Sequence, residues 1–141
     1  MRRLAVLGVV VLAPAAAALV LGLAPWEAGR ELEQAPVAGT LPRARRAGPG
    51  RVEACVLFAD RYGNLVLDAV AQDLEGDPAP WQAEARGRAI AFHSTYAEVG
   101  SGQALALVDS FGSIEIAVRD GNAAASLGLS RGDPVVLRRR A

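Results

Sequence analysis

Ser113-Ile114-Glu115-Ile116-Ala117-Val118-Arg119 is the stretch that decides the fold of this chain. Ile114, Ile116 and Val118 fall on one side, and Ser113, Glu115, Ala117 and Arg119 on the other, which is the two-residue period of a β-strand. Upstream, Val52-Glu53-Ala54-Cys55-Val56-Leu57-Phe58 divides the same way, with Val52, Ala54, Val56 and Phe58 on one face. Leu65 to Val70, Arg88 to Phe92 and Ala104 to Val108 read as further strands, and Asp73 to Trp81 as a loop with two prolines and several acids. Asn122 suits a helix N-cap, Ala123 to Leu127 the short helix behind it, and Gly128 the left-handed residue that ends it. Leu129 then packs back, Ser130 to Asp133 turn, and Pro134 to Arg138 form a last strand. Short strands with Gly-rich turns imply a sandwich or small barrel. The expected fold is therefore mainly β, a small barrel over residues 51–141 with one short helix near the C-terminus. No internal repeat is evident.

Composition narrows the function. The chain has 141 residues, room for one domain and a tail, and 52% of them are hydrophobic, enough for a core. The formal net charge is zero, from 15 basic and 15 acidic residues, which argues against a nucleic-acid partner. Every basic residue is Arg, a bias expected of a GC-rich coding sequence. Cys55 is the only cysteine and His93 the only histidine, so an intramolecular disulfide and a zinc cluster are excluded. Cys55 lies in a strand and reads as a buried, unreactive thiol.

Residues 1–34 are apolar and carry the first ambiguity. Leu4 to Trp26 holds no charge and follows Arg2-Arg3, as a signal peptide or membrane anchor would. Pro14 interrupts the run, and a soluble helix from Pro14 through Leu21 fits equally well. Residues 35–50 include Pro36, Pro42, Pro49, Gly39, Gly48 and Gly50 with three arginines, a composition that reads as a linker without a regular element.

No complete catalytic set is visible. Ser110, His93 and Asp60 lack the Gly-x-Ser-x-Gly setting of a nucleophile elbow. Gly100-Ser101-Gly102 is too poor in glycine for a phosphate loop. Asp68, Asp73, Glu75 and Asp77 crowd one edge instead of pairing for acid–base work. Asp60-Arg61-Tyr62-Gly63-Asn64 has more to offer: a carboxylate for an ammonium, an aromatic face for a base, and an amide for a heterocycle edge. The same five residues also suit a plain Asx-type turn with Gly63 at positive φ.

Two further segments bear on that choice, Ser94-Thr95-Tyr96-Ala97-Glu98-Val99 and Asp109-Ser110-Phe111-Gly112-Ser113-Ile114-Glu115-Ile116-Ala117-Val118. The second continues into Gly121-Asn122-Ala123-Ala124-Ala125, Leu127-Gly128-Leu129 and Gly132-Asp133-Pro134-Val135. With Asp60 to Leu65, in this order and spacing, they resemble the C-terminal domain of the S-adenosyl-L-methionine (SAM) hydroxide adenosyltransferases, the SAM hydrolases, whose family includes the SAM-dependent chlorinases and fluorinases. The resemblance covers Val52 to Leu137. Leu12 to Ala17 with Leu21-Gly22 is weakly similar to the end of the family's N-terminal domain. On that match residues 1–34 are a domain remnant, and the chain is cytoplasmic.

The resemblance implies a two-domain protein assembled as a trimer, with SAM between the N-terminal domain of one subunit and the C-terminal domain of the next. It implies that Asp60 holds the amino-acid end of SAM, helped by Ser110. Tyr62 and Tyr96 would line the nucleoside, and Asn64 would read adenine together with the backbone from Val118 to Asp120. Phe111 stands where halogenating members carry arginine, so the hydrolase type is the closer fit. SAM or adenosine is then the ligand, with no separate cofactor or metal. Missing from the matched residues is the N-terminal domain that orients the attacking water. The expectation is a SAM-binding half-site, inactive alone and dependent on a separate chain for its other half. Two alternatives remain: a membrane-anchored or exported binding module, since Asn122 to Asp133 resembles the helix-to-strand signature of PDZ domains, and a decayed fragment.

Overall fold

The computed structural model describes residues 20–24 and 41–140. The chain divides into two compact units, Met1–Gly39 and Thr40–Ala141. Most of the apolar segment and part of the linker lie outside the described residues, so the choice between anchor and remnant falls there too. No helix among the described residues is long and apolar enough to cross a membrane.

The second unit contains β1 (Arg45–Gly48), β2 (Arg51–Ala59), β3 (Leu65–Val70), β4 (Trp81–Ala85), β5 (Arg88–Ala91), β6 (Ala104–Val108), β7 (Ser113–Val118), α1 (Ala123–Leu127) and β8 (Pro134–Arg139). Seven strands follow one antiparallel path, β5-β4-β8-β2-β3-β7-β6, and β1 pairs with β2 beside it. The ends of the path meet where Phe92 bridges Ala106 in parallel, with the His93 N–H donating to the Ala106 carbonyl at 2.9 Å. One short bridge thus nearly closes the sheet into the expected barrel. Closure hides most strand edges from foreign chains.

Alternation fills the interior. Val52, Ala54 and Val56 of β2, Leu65, Leu67 and Ala69 of β3, and Ile114, Ile116 and Val118 of β7 converge with Trp81, Ala83, Val135 and Leu137 in one core. The helix covers this core with Ala123 and Leu127. Its caps match the sequence reading: Asn122 Oδ1 accepts the Ala125 N–H at 2.8 Å, and Gly128 adopts φ 65°. The Trp81 indole N–H has no partner in the core.

Two strands depart from the sequence reading. Arg45–Gly48, assigned to the linker, forms β1 because the N-terminal part of β2 offers an open edge there. Trp81–Ala85, at the end of an expected loop, forms β4, its small and large apolar residues facing inward at every second position. Asp68 also leaves the exposed acidic edge to which it was assigned. At the irregularity between Val56 and Phe58, β2 passes from its β8 partner to its β3 partner. There Asp68 Oδ1 accepts the Cys55 N–H at 2.8 Å, and Oδ2 lies 3.3 Å from the thiol. Cys55 lies in a strand as expected but is half-buried and outside the core, which corrects the buried reading; burial and this carboxylate push its thiol above the usual range.

Asp68 therefore replaces a ladder carbonyl where the barrel bends. Replacing Asp68 with Ala leaves the Cys55 N–H unpaired, at a cost of about 1–3 kcal/mol. Urea unfolding of the full chain should show a lower midpoint at unchanged slope. An unchanged midpoint would show that the bend does not depend on this carboxylate.

Candidate site on the outer face of the barrel

The turn between β2 and β3 is built by one carboxylate. Asp60 Oδ1 accepts the Tyr62 and Asn64 N–H groups at 2.8 and 2.9 Å, and Oδ2 accepts from Asn64 Nδ2 at 3.2 Å. The Gly63 N–H reaches the Asp60 carbonyl, and the Asp60 N–H reaches the Asn64 carbonyl. Gly63 has φ +85°, and a Cβ there would stand 2.2 Å from Asn122 Cγ. Glycine is thus required twice over, by its backbone angle and by close approach to the helix cap. The Gly63 carbonyl then accepts the Ala124 N–H at 2.9 Å, which docks the turn on α1.

The turn between β6 and β7 repeats this construction. Asp109 Oδ1 accepts the Phe111 and Ser113 N–H groups at 2.8 and 2.9 Å, and Gly112 takes φ +82°. The Gly112 and Asp109 N–H groups bond as their counterparts do. Asp-x-aromatic-Gly-(Asn or Ser) thus occurs twice, a five-residue repeat that the sequence reading passed over. Each copy exposes its aromatic ring, Tyr62 at 61% and Phe111 at 88%. All three N–H groups after Ser110 are taken, so this segment cannot serve as the carboxylate-binding loop that a PDZ-type module needs.

From the first turn a line of hydrogen bonds crosses the outer face. Asn64 Nδ2 donates to the Tyr96 hydroxyl at 3.4 Å, and that hydroxyl donates to Glu115 Oε1 at 2.6 Å. Tyr96 stands on a single 3₁₀ turn, Tyr96–Glu98, held by a reciprocal cap between Thr95 and Glu98. Behind it Val99 packs with Leu105, Leu107 and Ala117 on the outer side of β6 and β7. That second, smaller core explains why β7 is buried on both faces, and why Glu115 is the one buried charged residue among those described.

Burial raises the Glu115 carboxyl above its usual range, and nearby Asp60 and Asp109 push the same way; the Tyr96 hydrogen bond opposes them. Burial and Glu115 in turn hold the Tyr96 hydroxyl in its protonated, donating form.

Of the residues singled out from the sequence, Asp60, Asn64 and Tyr96 meet in this line. Tyr62 stands beside it with the Arg61 guanidinium over its ring, 4.6 Å from the centroid, and an Arg61–Tyr62 hydroxyl hydrogen bond. Ser110 and Phe111 lie apart from Asp60. Their turn adjoins Ala71, at the far end of the paired strands β3 and β7. Val118 is buried in the barrel, its carbonyl bonded to the Gly121 N–H, and both backbone groups of Arg119 pair with the segment before β6. Among the described residues no hydrogen bond engages the backbone of Asp120, at φ +53°. Glu115 and Asp109 were not singled out from the sequence; the repeated turn pattern was the available signal for Asp109.

The face is open. Surface clefts occur beside His93, Glu98 and Asp77, and under the β4–β5 turn, and neither is lined by Asp60, Asn64 or Glu115. No group of three or more His, Cys, Asp or Glu among the described residues is placed to hold a metal ion.

Residues 54–136 match the family model of the SAM hydroxide adenosyltransferase C-terminal domain, more than half of the chain. The chain belongs to that family. Among curated proteins it is similar to the (R)-S-adenosyl-L-methionine hydrolases of Thermus thermophilus and Salinispora tropica. The first is 39% identical over 127 residues, covering 90% of this chain and 46% of the relative. The second is 36% identical over 124 residues, covering 87% and 46%. This member of the family thus spans about half the length of the curated relatives it matches. Among solved structures it is similar to a conserved hypothetical protein of Thermus thermophilus, at 38% identity and TM-score 0.57, covering 88% of this chain and 49% of that one. An uncharacterised conserved protein of Thermotoga maritima matches at 25% identity and TM-score 0.60, covering 92% and 51%.

Two outcomes follow from the geometry. Gly63→Ala should cost more than about 1 kcal/mol, since Ala tolerates neither the φ nor the contact; thermal unfolding measures it, and unchanged stability would contradict the fit. Glu115 has its folded pKa raised, so its contribution is fully present below the unfolded value and is lost as pH rises through the folded one. Glu115→Gln cannot ionise, so the variant should gain stability relative to the native chain as pH rises from about 4 to 8 in unfolding titrations. A gap between the two that is constant across this range would show that Glu115 is not perturbed.

Proposed function

We propose that this chain is the substrate-holding wall of a SAM hydrolase, which becomes active when a family N-terminal domain closes over it. The supporting observation is the bonded line Asp60–Asn64–Tyr96–Glu115 on an open face of a domain that belongs to this family. The curated relatives are named for the (R) epimer of SAM, and this wall takes the same epimer in the proposal.

Each group has a defined capacity. The Asp60 carboxylate already accepts three hydrogen bonds inside its turn, which leaves room at Oδ2 for one ammonium hydrogen of the methionine end. Asn64 Oδ1 accepts no hydrogen bond among the described residues and in the proposal meets the adenine amine, with the Asp120 backbone as a second partner for the base. Tyr96 and Tyr62 offer ring faces to the nucleoside, Arg61 swinging off Tyr62 as the ligand arrives. Ser110 and Phe111 stand at the other end of β7, apart from Asp60, so one turn alone holds the methionine end, and the proposal assigns it to Asp60. The bulky, uncharged Phe111 supports water over halide as the nucleophile.

In the completed site water attacks the 5′ carbon of SAM and loses a proton. The C5′–S bond breaks, and its electron pair leaves with methionine. Such a displacement needs the water held in line with the sulfonium and shielded from solvent. The open wall does neither, so the other domain supplies the water-orienting groups. The aligned length of 127 residues exceeds the stretch from Arg51 onward, which supports reading much of the segment before Arg51 as family sequence also. Exposed Phe58, Tyr62 and Phe111 give a neighbouring domain apolar surface to cover, as the trimeric arrangement requires.

Mixing the chain with a separately produced N-terminal domain of a relative should restore release of adenosine from (R)-SAM, followed by chromatography. Asp60→Asn, which keeps an Oδ1 acceptor for the turn, should lower it in the same mixture by roughly tenfold or more, the loss of one charge-assisted contact. No release under any mixing ratio would contradict the proposal.

A further inference from the structure

The barrel closes through one bridge, Phe92 to Ala106, and just past it the two segments part. After Phe92 the chain turns away into the 93–100 segment, while β6 runs on to Val108. The gap left at this seam is a cleft of about 210 Å³ between that segment, Val108 and the loop around Pro78. Phe92, Pro78, Ala79 and Val108 give it apolar walls, and Asp77, His93, Ser94 and Glu98 give it polar ones. A cavity of roughly 150 Å³ holds a benzene ring, so a ring with a short substituent fits here.

The polar groups share one character. Glu98 spends both carboxylate oxygens locally: Oε1 accepts the Ser94 and Thr95 N–H groups at 3.1 Å, and Oε2 lies 3.2 Å from His93 Nδ1. A carboxylate only accepts, so Nδ1 carries a hydrogen and Nε2 is the bare nitrogen of the neutral ring. Asp77 Oδ1 accepts the Ala79 N–H at 2.9 Å, which leaves Oδ2 unpartnered among the described residues. The Ser94 hydroxyl has no partner among them either. Three unpaired atoms able to accept thus line one small apolar cleft, beside two carboxylates. The Arg140 guanidinium, at the rim, is engaged by the Ala79 carbonyl at 2.7 Å.

We infer that this seam cleft is a second binding site, for a small organic cation: a primary ammonium on a short apolar stem. Its three hydrogens meet His93 Nε2, Asp77 Oδ2 and the Ser94 hydroxyl, and its stem lies along Phe92 and Pro78. An alcohol of the same shape brings one hydrogen and no charge, and a carboxylate meets lone pairs and like charge. These acidic groups and His93 are not placed to share a metal ion, which leaves an organic cation as the fitting ligand. No lining residue belongs to the Asp60–Asn64–Tyr96–Glu115 line, so the inference stands apart from the nucleoside reading.

Benzylamine, benzyl alcohol and benzoate share one shape and differ in charge, and each is titrated at fixed pH into the isotope-labelled full-length chain. His93 is the only histidine, so its ring signals report on the cleft directly. Benzylamine should shift them together with the Ala79 and Ser94 amides. It should bind roughly tenfold tighter than benzyl alcohol, the worth of a charge-assisted hydrogen bond. Benzoate should leave the same signals unmoved. Asp77→Asn keeps an Oδ1 acceptor for the Ala79 N–H and removes the charge, so the advantage of the amine should fall towards one. Nα-acetyl-lysine methylamide separates the sources of such a cation: tighter binding than benzylamine assigns the cleft to a lysine of another protein, weaker binding to a free aromatic amine. Equal binding of amine and alcohol, or an advantage that survives in Asp77→Asn, would overturn the cation site. So would His93 signals that none of these compounds moves.

Discussion

The candidate site depends on a single buried contact, the 2.6 Å hydrogen bond from the Tyr96 hydroxyl to Glu115. A carboxylate on the middle of a barrel strand would normally face water. Here the 93–100 segment lies over it, and Val99, Leu105, Leu107 and Ala117 seal that cover with a second small core. The carboxyl is strained towards its neutral form by burial and by Asp60 and Asp109, and Tyr96 is the group that offsets this. Removing either partner would release the covering segment or leave an acid unpaired. The contact therefore joins the fold to the face on which a ligand would rest.

Two Asp-centred turns of the same backbone design stand at the two ends of β7. Each spends its aspartate on backbone N–H groups, which makes the turn rigid and leaves an aromatic ring exposed at its third position. Exposed Tyr62 and Phe111 are unfavourable in water, yet they suit the covered face that the proposed function calls for. An open wall with fixed polar groups has prepaid its own ordering. It still lacks the enclosure that strengthens electrostatic contacts and holds water in line.

Much of this was legible in the sequence. The alternation around Ile114 and Ile116, the Asn122 and Gly128 caps and the Asp60 turn all rest on local geometry, which residue type specifies. β1 was not legible, because Arg45 and Arg46 become a strand only through the open edge of β2. Trp81–Ala85 alternates but is half alanine, too weak a pattern beside a proline-rich loop. The cover over Glu115 comes from a segment some twenty residues away, so no local pattern marks that glutamate as buried. Family resemblance named Asp60, Asn64 and Tyr96, which hydrogen bonds join, and it named Ser110 as a helper of Asp60, from which the structure separates it. It says nothing of the hydroxyl direction that Glu115 imposes, because that depends on an atom-level contact.

The central claim is that this outer face, and not either cleft, receives the nucleoside. A crystal structure of the full chain soaked with adenosine tests it most directly. The account predicts the adenine amine against Asn64 Oδ1 and the base against Tyr96. Adenosine lodged instead beside His93 and Asp77, or under the β4–β5 turn, would contradict it.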